Sequence, residues 1–239
     1  MRWLSPLQMA SKKSEAFLNK SCSIVRPIKG EISMRKKELA LEVIRRLKEE
    51  YPDADCTLDY DEAWKLLVSV RLAAQCTDAR VNVVVEDLYA KFPDVNALAD
   101  APVEEIEEIV RPCGLGKSKA RDISACMKIL RDEYNGKVPD TLEELIKLPG
   151  VGRKTADVVL SNAFNKDAIA VDTHVFRVAN RIGIVHTKTP EKTEFALMEA
   201  IPKHRWSHSH HVLIFHGRRM CKARKPECEI CLIKDDCDF

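Results

Sequence analysis

Two polar residues, Lys154 and Asp172, lie where the sequence predicts the first turns of two helices, and their types suit nucleophilic catalysis. Lys154 begins a run of apolar residues at helical spacing. A cationic side chain is disfavoured at a helix N-terminus, and Arg153 adds a like charge, so both effects favour the neutral amine that a nucleophile needs. Asp172 occupies an N-cap position, where capping is its ordinary role. A second role for this carboxylate would be to face Lys154 across a cleft.

The stretch before Lys154, residues 148–152, predicts a tight turn between two helices. Gly150 and Gly152 flank a valine and permit backbone angles that a β-branched residue resists, while Pro149 ends the preceding helix. The amide N–H groups of such a turn, with the positive end of a helix dipole behind them, form an anion site of phosphate size. An ordinary helical hairpin, whose glycines only allow close packing, is the alternative interpretation.

Four of the nine cysteines lie together at the end of the sequence, separated by six, two and five residues: Cys221, Cys228, Cys231 and Cys237. Four thiolates in this arrangement can hold tetrahedral zinc or a 4Fe–4S cluster, because both accept an all-cysteine ligand set. Spacing alone leaves both open, and zinc is the commoner occupant. The remaining cysteines are expected to be ordinary buried or loop thiols: Cys22, Cys56, Cys76, Cys113 and Cys126.

Residues 203–225 carry seven Lys or Arg and no Asp or Glu, which favours contact with a DNA backbone over the more usual solvated face. Three histidines in this stretch, His208, His210 and His211, lack a regular ligand spacing. We expect them to pack or to lie near phosphate rather than to bind a metal.

Three motifs, residues 148–156, residues 171–181 and the cysteine quartet, together resemble the endonuclease III family of DNA glycosylases, in the family's order and across most of the chain. The resemblance implies an all-α, two-domain helix-hairpin-helix DNA glycosylase fold with a C-terminal 4Fe–4S cluster loop. It also implies that Lys154 and Asp172 are the catalytic residues and that the four cysteines bind the cluster.

The same resemblance implies a domain division. Residues 56–166 would form a helical barrel domain that contains the helix-hairpin-helix, and residues 34–55 with 167–239 would form the iron–sulfur cluster domain. Residues 1–33 are rich in serine and lack apolar periodicity, which predicts a disordered or non-native N-terminal extension. We expect the native chain to start at Met34, which opens an amphipathic helix containing Leu39, Val43 and Leu47.

Further helices are predicted over residues 63–74, 81–92 and 103–110, and from a Ser118 cap to residue 134. Residues 141–144 match a capping box that opens the first helix of the hairpin. The first of these helices is apolar nearly all round, as expected of a central buried helix. Since apolar and polar residues never alternate over a strand-length run, no strand is expected.

Two further loops gain a role through the resemblance. Endonuclease III enzymes extrude the damaged nucleotide and must fill the gap, and the matching loops supply Gln75 and Leu115. The sequence departs from the family pattern at Cys76, usually alanine, and at Gly116, where an aromatic residue is common, which leaves the range of lesions open. The remaining expected DNA contacts come from the hairpin and the cluster loop: Gly150, Val151, Gly152, Arg153, Thr155, Lys222, Arg224 and Lys225.

The sequence therefore predicts a bifunctional DNA glycosylase and AP lyase that excises oxidised pyrimidines in base excision repair, through a lysine Schiff base and β-elimination. Its expected partner is double-stranded DNA with a damaged base or an abasic site, and the enzyme is expected to act as a monomer. The formal net charge of +2 says little about partners. No apolar run is long enough for a bilayer, so we expect a cytoplasmic bacterial protein associated with the nucleoid and not with a membrane.

Two alternatives belong to other functional classes. One is an adenine-mismatch-type monofunctional glycosylase, whose family shares the hairpin, the aspartate and the cluster but lacks a lysine at the place of Lys154. The other is a non-enzymatic helix-hairpin-helix DNA-binding module that uses the hairpin and the cluster only as a scaffold.

Overall fold

The computed structural model describes residues 33–239, and all regular structure in this range is helical, with no β-strand. The predicted all-α class is confirmed. The α-helices of this range are α1 Met34–Glu50, α2 Ala63–Leu72, α3 Asp78–Lys91, α4 Val95–Asp100, α5 Val103–Val110, α6 Gly116–Tyr134, α7 Leu142–Leu145, α8 Arg153–Ala163, α9 Thr173–Ile182, α10 Pro190–Ala200 and α11 Trp206–Arg219. Short 3-10 turns occupy Arg111–Cys113, Lys203–Arg205, Cys228–Ile230 and Lys234–Asp236.

Helices α2 to α8 surround one hydrophobic core. Helix α2 lies within it, with Leu66, Leu67 and Leu72 almost completely buried, because this helix is apolar on nearly every side. It packs against α8, the second helix of the hairpin, while α6 packs against α4 and α5. The start of α8 is therefore fixed by a buried helix behind it.

Helices α1, α9, α10 and α11 contribute to a second hydrophobic core. Helix α1 begins at Met34 as expected, with Val43 and Leu47 buried against α11 and α10. The described part of the chain forms one compact unit with these two cores, and the domain division at residues 56–166 stays a prediction. The predictions for residues 1–33, Cys22 included, concern a stretch that, apart from Ser33, lies outside the described residues.

Two helix starts differ from the predicted ones. Helix α3 begins at Asp78, earlier than expected, because the Thr77 hydroxyl accepts a hydrogen bond from the amide of Arg80 at 3.3 Å. Helix α6 begins at Gly116, so Ser118 is not its cap. The Ser118 hydroxyl instead accepts a hydrogen bond from Arg71 at 3.3 Å. The predicted cap of α7 is confirmed, since Thr141 accepts a hydrogen bond from the amide of Glu144.

Candidate active site and nucleic-acid interface

The turn between α7 and α8 depends on Gly150 rather than on both glycines. Gly150 has a φ of +75°, and a Cβ there would lie 2.7 Å from Arg71 Nε and 2.9 Å from Asp122 Cβ. Gly152 has a φ of −92° and open space around it, so its backbone angles do not require glycine. Val151 is buried beneath the turn. The amides of Gly152 and of the first turn of α8 thus begin a helix at an exposed surface, as an anion site requires.

An ion pair packs against this turn at Gly150. Arg71 of α2 donates from Nε to Asp122 Oδ2 of α6 at 2.9 Å. Because Gly150 lies directly against both side chains, a larger residue at that position would push them apart. This pair was not predicted from the sequence, since Arg71 and Asp122 are 51 residues apart and neither belongs to a motif.

Lys154 and Asp172 line the same pocket, which has a volume of about 100 Å³ and walls from both hydrophobic cores. The Lys154 side chain is exposed, and its amine takes part in no hydrogen bond or ion pair with any residue in 33–239. One Asp172 oxygen accepts hydrogen bonds from the amides of His174 and Val175, both at 2.8 Å. Asp172 therefore has both expected positions: it caps α9, and its carboxylate borders the pocket of the lysine.

Arg153 does not remain a free cation beside Lys154. Its Nε lies 2.8 and 2.9 Å from the two carboxylate oxygens of Glu194, and Nη2 lies 2.7 Å from one of them. Only 6 % of the Glu194 side chain is exposed. The guanidinium also lies over the Phe195 ring, 5.0 Å from its centre. Helix α10 thus neutralises the like charge that the sequence places next to Lys154, and the hydrogen bonds to Glu194 raise the pKa of Arg153.

One turn after Lys154, α8 carries a second carboxyl group that was not among the predicted site residues. Asp157 is buried, and its Oδ2 has no hydrogen-bond partner within the described chain. Burial raises the pKa of Asp157 to about 7, with a further increase from the charge of Glu194 and a decrease from Arg153. A charged residue inside the otherwise apolar face of α8 was the available sequence signal.

Two of the histidines predicted to pack, His210 and His211, line the same pocket. His210 is fully buried, and its ring lies 4.1 Å from that of His211. His211 Nε2 lies 3.1 Å from the side-chain oxygen of Asn162. Burial lowers the pKa of His210 well below its usual value and that of His211 to about 4. Both rings are therefore neutral at physiological pH.

The two predicted gap-filling residues lie at exposed loop positions with left-handed backbone angles. Gln75 has a φ of 59° and Leu115 a φ of 54°. Leu115 is 55 % exposed although it is a large apolar side chain. An exposed leucine with a strained backbone contributes no burial energy to the hydrophobic core. This geometry agrees with a role outside the fold.

The four C-terminal cysteines fit an iron–sulfur cluster by their donor set. The thiols of Cys231 and Cys237 lie close enough to Cys221 and Cys228 for their charges to interact. Arg181 donates to Cys221 Sγ at 3.5 Å, and His216 Nε2 lies 3.8 Å from Cys231 Sγ. An N–H donor to sulfur, such as that of Arg181, stabilises a cluster thiolate. Among residues 33–239, no three His, Cys, Asp or Glu side chains are arranged around a single-ion position.

Two arginines of α9, neither of them among the predicted site residues, fix the cluster loop. Arg177 donates to the carbonyls of Gly217 and Cys221 at 2.8 and 3.0 Å. Arg181 donates to the carbonyls of Lys222 and Ala223 at 2.8 and 3.2 Å. Helix α9 therefore begins at the candidate catalytic aspartate and ends at the cluster loop.

The predicted loop cations differ in their surroundings. The Lys222 amine is paired with Glu227. Arg224 and Lys225 are exposed, and neither side chain has a partner within the described chain. Lys225 also has a left-handed φ of 54°. Thus only two of the three predicted cations are free for a phosphate.

No helix within residues 33–239 is both long and apolar enough to span a membrane. Residues 68–203 match the family model of the HhH-GPD superfamily of base excision DNA repair proteins, and residues 221–237 match the iron-sulfur binding domain of endonuclease III. The second match decides between the two metals in favour of the 4Fe–4S cluster.

Bacterial endonuclease III proteins are similar to most of the chain. The Synechocystis protein is 46 % identical over 84 % of this chain and 93 % of its own. The Escherichia coli K12 protein is 41 % identical over 83 % of this chain and 94 % of its own. A non-covalent endonuclease III–DNA complex has 44 % identity and a TM-score of 0.81, covering 84 % of this chain and 94 % of the other.

A trapped endonuclease III–DNA covalent intermediate is similar at the same identity and TM-score, with 84 % of this chain and 95 % of the other covered. A thermostable thymine-DNA glycosylase, at 22 % identity and a TM-score of 0.75, shares the fold. The fold, the hairpin and the cysteine loop agree with these similarities. The chain therefore belongs to the endonuclease III family, the bifunctional DNA glycosylases and AP lyases of base excision repair.

Proposed function

We propose that this enzyme excises oxidised pyrimidines from duplex DNA, with Lys154 as the nucleophile. The observation that carries the proposal is the shared pocket, in which an amine without a partner in the described chain and a half-buried carboxylate line the same walls beside a helical hairpin. The similar endonuclease III that was trapped as a covalent intermediate with DNA supports a covalent route. The proposed lesion class rests on the family resemblance.

In the proposed reaction, the neutral Lys154 Nζ attacks C1′ of the extruded nucleotide. The glycosidic bond breaks, and the damaged base leaves with its electron pair. Opening of the sugar gives an imine between Nζ and C1′, which acidifies the 2′ position. Loss of a 2′ proton then expels the 3′ phosphate by β-elimination, and water releases the lysine. These steps combine the glycosylase and lyase activities in one residue.

Asp172 has two tasks in this proposal. Its Oδ1 atom caps α9 by accepting hydrogen bonds from the amides of His174 and Val175. Its other oxygen has no hydrogen-bond partner within residues 33–239 and can stabilise the positive charge that develops on the sugar. The cluster supplies no step of the reaction: its four cysteine ligands would fix the loop that carries Arg224 and Lys225.

The proposed substrate is double-stranded DNA that contains a damaged base or an abasic site. We assign its backbone to the amides of Gly150, Gly152, Arg153 and Thr155 and to the loop cations Lys222, Arg224 and Lys225. Val151 belongs to the same turn, but its amide already donates to the carbonyl of Leu148 at 3.1 Å. Gln75 and Leu115 would enter the gap from the two exposed loops. Since Arg153 and Lys222 are already paired with carboxylates, their side chains would contribute less than the free cations.

We also propose that the enzyme acts as a monomer in a bacterial cytoplasm, on the DNA of the nucleoid. The bacterial origin of its relatives supports this setting. The exposed hairpin and loop cations provide contacts on a single chain, so a second copy is not required for the proposed chemistry.

Borohydride trapping tests the reaction and the nucleophile together. Wild-type protein should form a stable adduct with duplexes that contain an abasic site or thymine glycol, because borohydride reduces the imine. Lys154→Gln should bind the same duplexes without trapping or cleavage. Lys147→Gln is the matched control, since Lys147 is another exposed lysine of the hairpin without a partner in the described chain; it should trap as wild type does.

Two outcomes would contradict the proposal. If Lys154→Gln trapped as efficiently as wild type, another amine would be the nucleophile. If the enzyme released adenine from a mismatch with 8-oxoguanine but ignored thymine glycol, it would be an adenine-mismatch glycosylase instead.

A further inference from the structure

A single buried amine connects the two loops that carry Gln75 and Leu115. Lys119 of α6 is fully buried, and its Nζ donates to the carbonyls of Leu72 and Cys113, each at 2.8 Å. Within the described chain this ammonium group forms no ion pair. Burying a charge is costly unless hydrogen bonds replace those that it made with water. The two carbonyls therefore fix the position of the amine, and the amine keeps their oxygens no more than twice this distance apart.

Both carbonyls lie at the ends of helical segments. Leu72 is the last residue of α2, and Cys113 is the last residue of the 3-10 turn Arg111–Cys113. The final carbonyls of a helix lack partners within it, and those of α2 also carry the negative end of its dipole, which favours a cation. Lys119 thus binds the ends of two helical segments at once, and each segment leads directly into one of the exposed loops.

Only short stretches of chain separate these carbonyls from the two exposed side chains. Gln75 follows Leu72 by three positions and Leu115 follows Cys113 by two, which correspond to at most about 11 Å and about 7 Å of extended chain. The amide of Lys119 also donates to the carbonyl of Leu115 at 3.0 Å. Since Gln75 and Leu115 both have left-handed backbone angles, their conformations must be enforced by the surrounding structure.

We propose that Lys119 is a positioning residue for the processing of lesions: it fixes the distance between the loops of Gln75 and Leu115 so that both side chains enter the same gap. Because Lys119 is fully buried, it acts through the loops and makes no contact with DNA. Two side chains that fill one gap must keep a fixed separation, since a misplacement of about 1 Å can cost about a hundredfold in rate. The inference rests on the proposed function of the two loops.

A double-mutant cycle tests whether Lys119 acts through these loops. Lys119→Met removes the donor and should lower the single-turnover rate of cleavage of abasic duplex by about tenfold. The combined variant Gln75→Ala/Leu115→Ala, which lacks both gap-filling side chains, should show a comparable loss. Adding Lys119→Met to that variant should lower the rate by less than about twofold more, because the side chains that the lysine positions are already absent.

The loss of stability that Lys119→Met causes needs its own control. Leu130 is also fully buried in α6, but it lies about three turns further along the helix from the loops. Leu130→Ala should destabilise the fold comparably and keep the wild-type rate well below its melting temperature. If Lys119→Met does not fold, Lys119→Gln replaces it, since Gln retains an N–H donor on a side chain one bond shorter. This variant should give a smaller loss with the same pattern across the cycle.

A fluorescence measurement reports on the loops without catalysis. 2-Aminopurine is placed opposite a tetrahydrofuran analogue of an abasic site, and the duplex is saturated with protein. Wild-type protein should increase the fluorescence, because side chains that fill the gap unstack the opposite base. Lys119→Met should give at most about half of this increase if the loops are displaced, whereas Leu130→Ala should give all of it.

Four results would overturn the proposal. They are a wild-type rate for Lys119→Met, an equal loss of rate in both backgrounds of the cycle, the same loss from Leu130→Ala, and a full fluorescence increase with Lys119→Met. Wild-type protein that never cleaves abasic DNA would contradict the proposed function alone, since the fluorescence comparison would still test the lysine.

Discussion

Two lysines on different helices have opposite surroundings. Lys154, at the start of α8, is exposed, and its amine has no partner within residues 33–239. Lys119, within α6, is fully buried and donates to two backbone carbonyls at 2.8 Å. The first amine is available to react, and the second is occupied in holding two loops. The bonds that a charged group already makes therefore indicate whether it is available for the proposed reaction or occupied in the fold.

The largest effect is expected from Asp172, the carboxylate that shares a pocket with the available lysine. Asp172→Asn should lower the rate of base excision by about a thousandfold, because the charge that stabilises the developing cation is lost. Asparagine is as good an N-cap as aspartate, so thermal stability should hardly change. Single-turnover kinetics and melting curves measure the two effects. A loss of stability that parallels the loss of rate would mean that Asp172 acts only as a cap.

The buried lysine should show the reverse pattern. Lys119→Met keeps the length of the side chain but leaves the carbonyls of Leu72 and Cys113 without a donor, which should cost about 3 kcal/mol in the free energy of unfolding. Lys154→Met, at an exposed site, should change stability by less than about 0.5 kcal/mol. Denaturant titrations of both variants measure the difference. Equal stabilities would remove the contrast between the two lysines.

Asp157 is an intermediate case between the two lysines. It is buried like Lys119, but one of its oxygens has no hydrogen-bond partner within the described chain. Its folded pKa of about 7 exceeds the ordinary 3.8, so its protonation stabilises the fold at low pH. This stability is lost as the pH rises through 7, by about 2 kcal/mol between pH 5 and pH 7. Asp157→Asn should remove that loss. If the two proteins showed the same pH dependence over this range, Asp157 would be ionised in the folded state.

The smallest effect is expected on DNA affinity, from the exposed cations of the cluster loop, which have no role in the proposed reaction. Replacing Arg224 and Lys225 by alanine should reduce the slope of log affinity against log salt by about one to two. Lys222→Ala, which removes a cation already paired with Glu227, should change the slope less. Binding of abasic duplex at several salt concentrations measures both. A larger change for Lys222 would show that pairing within the chain does not predict contact with DNA.

The sequence was sufficient where the signal is local. The capping box at Thr141, the cap at Asp172, the turn at Gly150 and the cysteine spacing each depend on residues within a few positions of one another. The pairs that support these motifs could not be found in this way. Arg153 meets Glu194, Arg71 meets Asp122 and Arg181 meets Ala223 only through tertiary packing. A local motif can also mislead. Both glycines of the turn were predicted to need unusual backbone angles, but only Gly150 does.

Helix α9 connects the proposed catalytic residue Asp172 to the cluster loop. Its ten residues extend about 15 Å, with Asp172 at one end. At the other end Arg181 donates a hydrogen bond to the cluster loop. A chain that still awaits its cluster would have this loop, and hence the far end of the helix, less firmly held. The supply of iron and sulfide would then set how many newly made molecules are competent to repair DNA, before any of them meets a lesion.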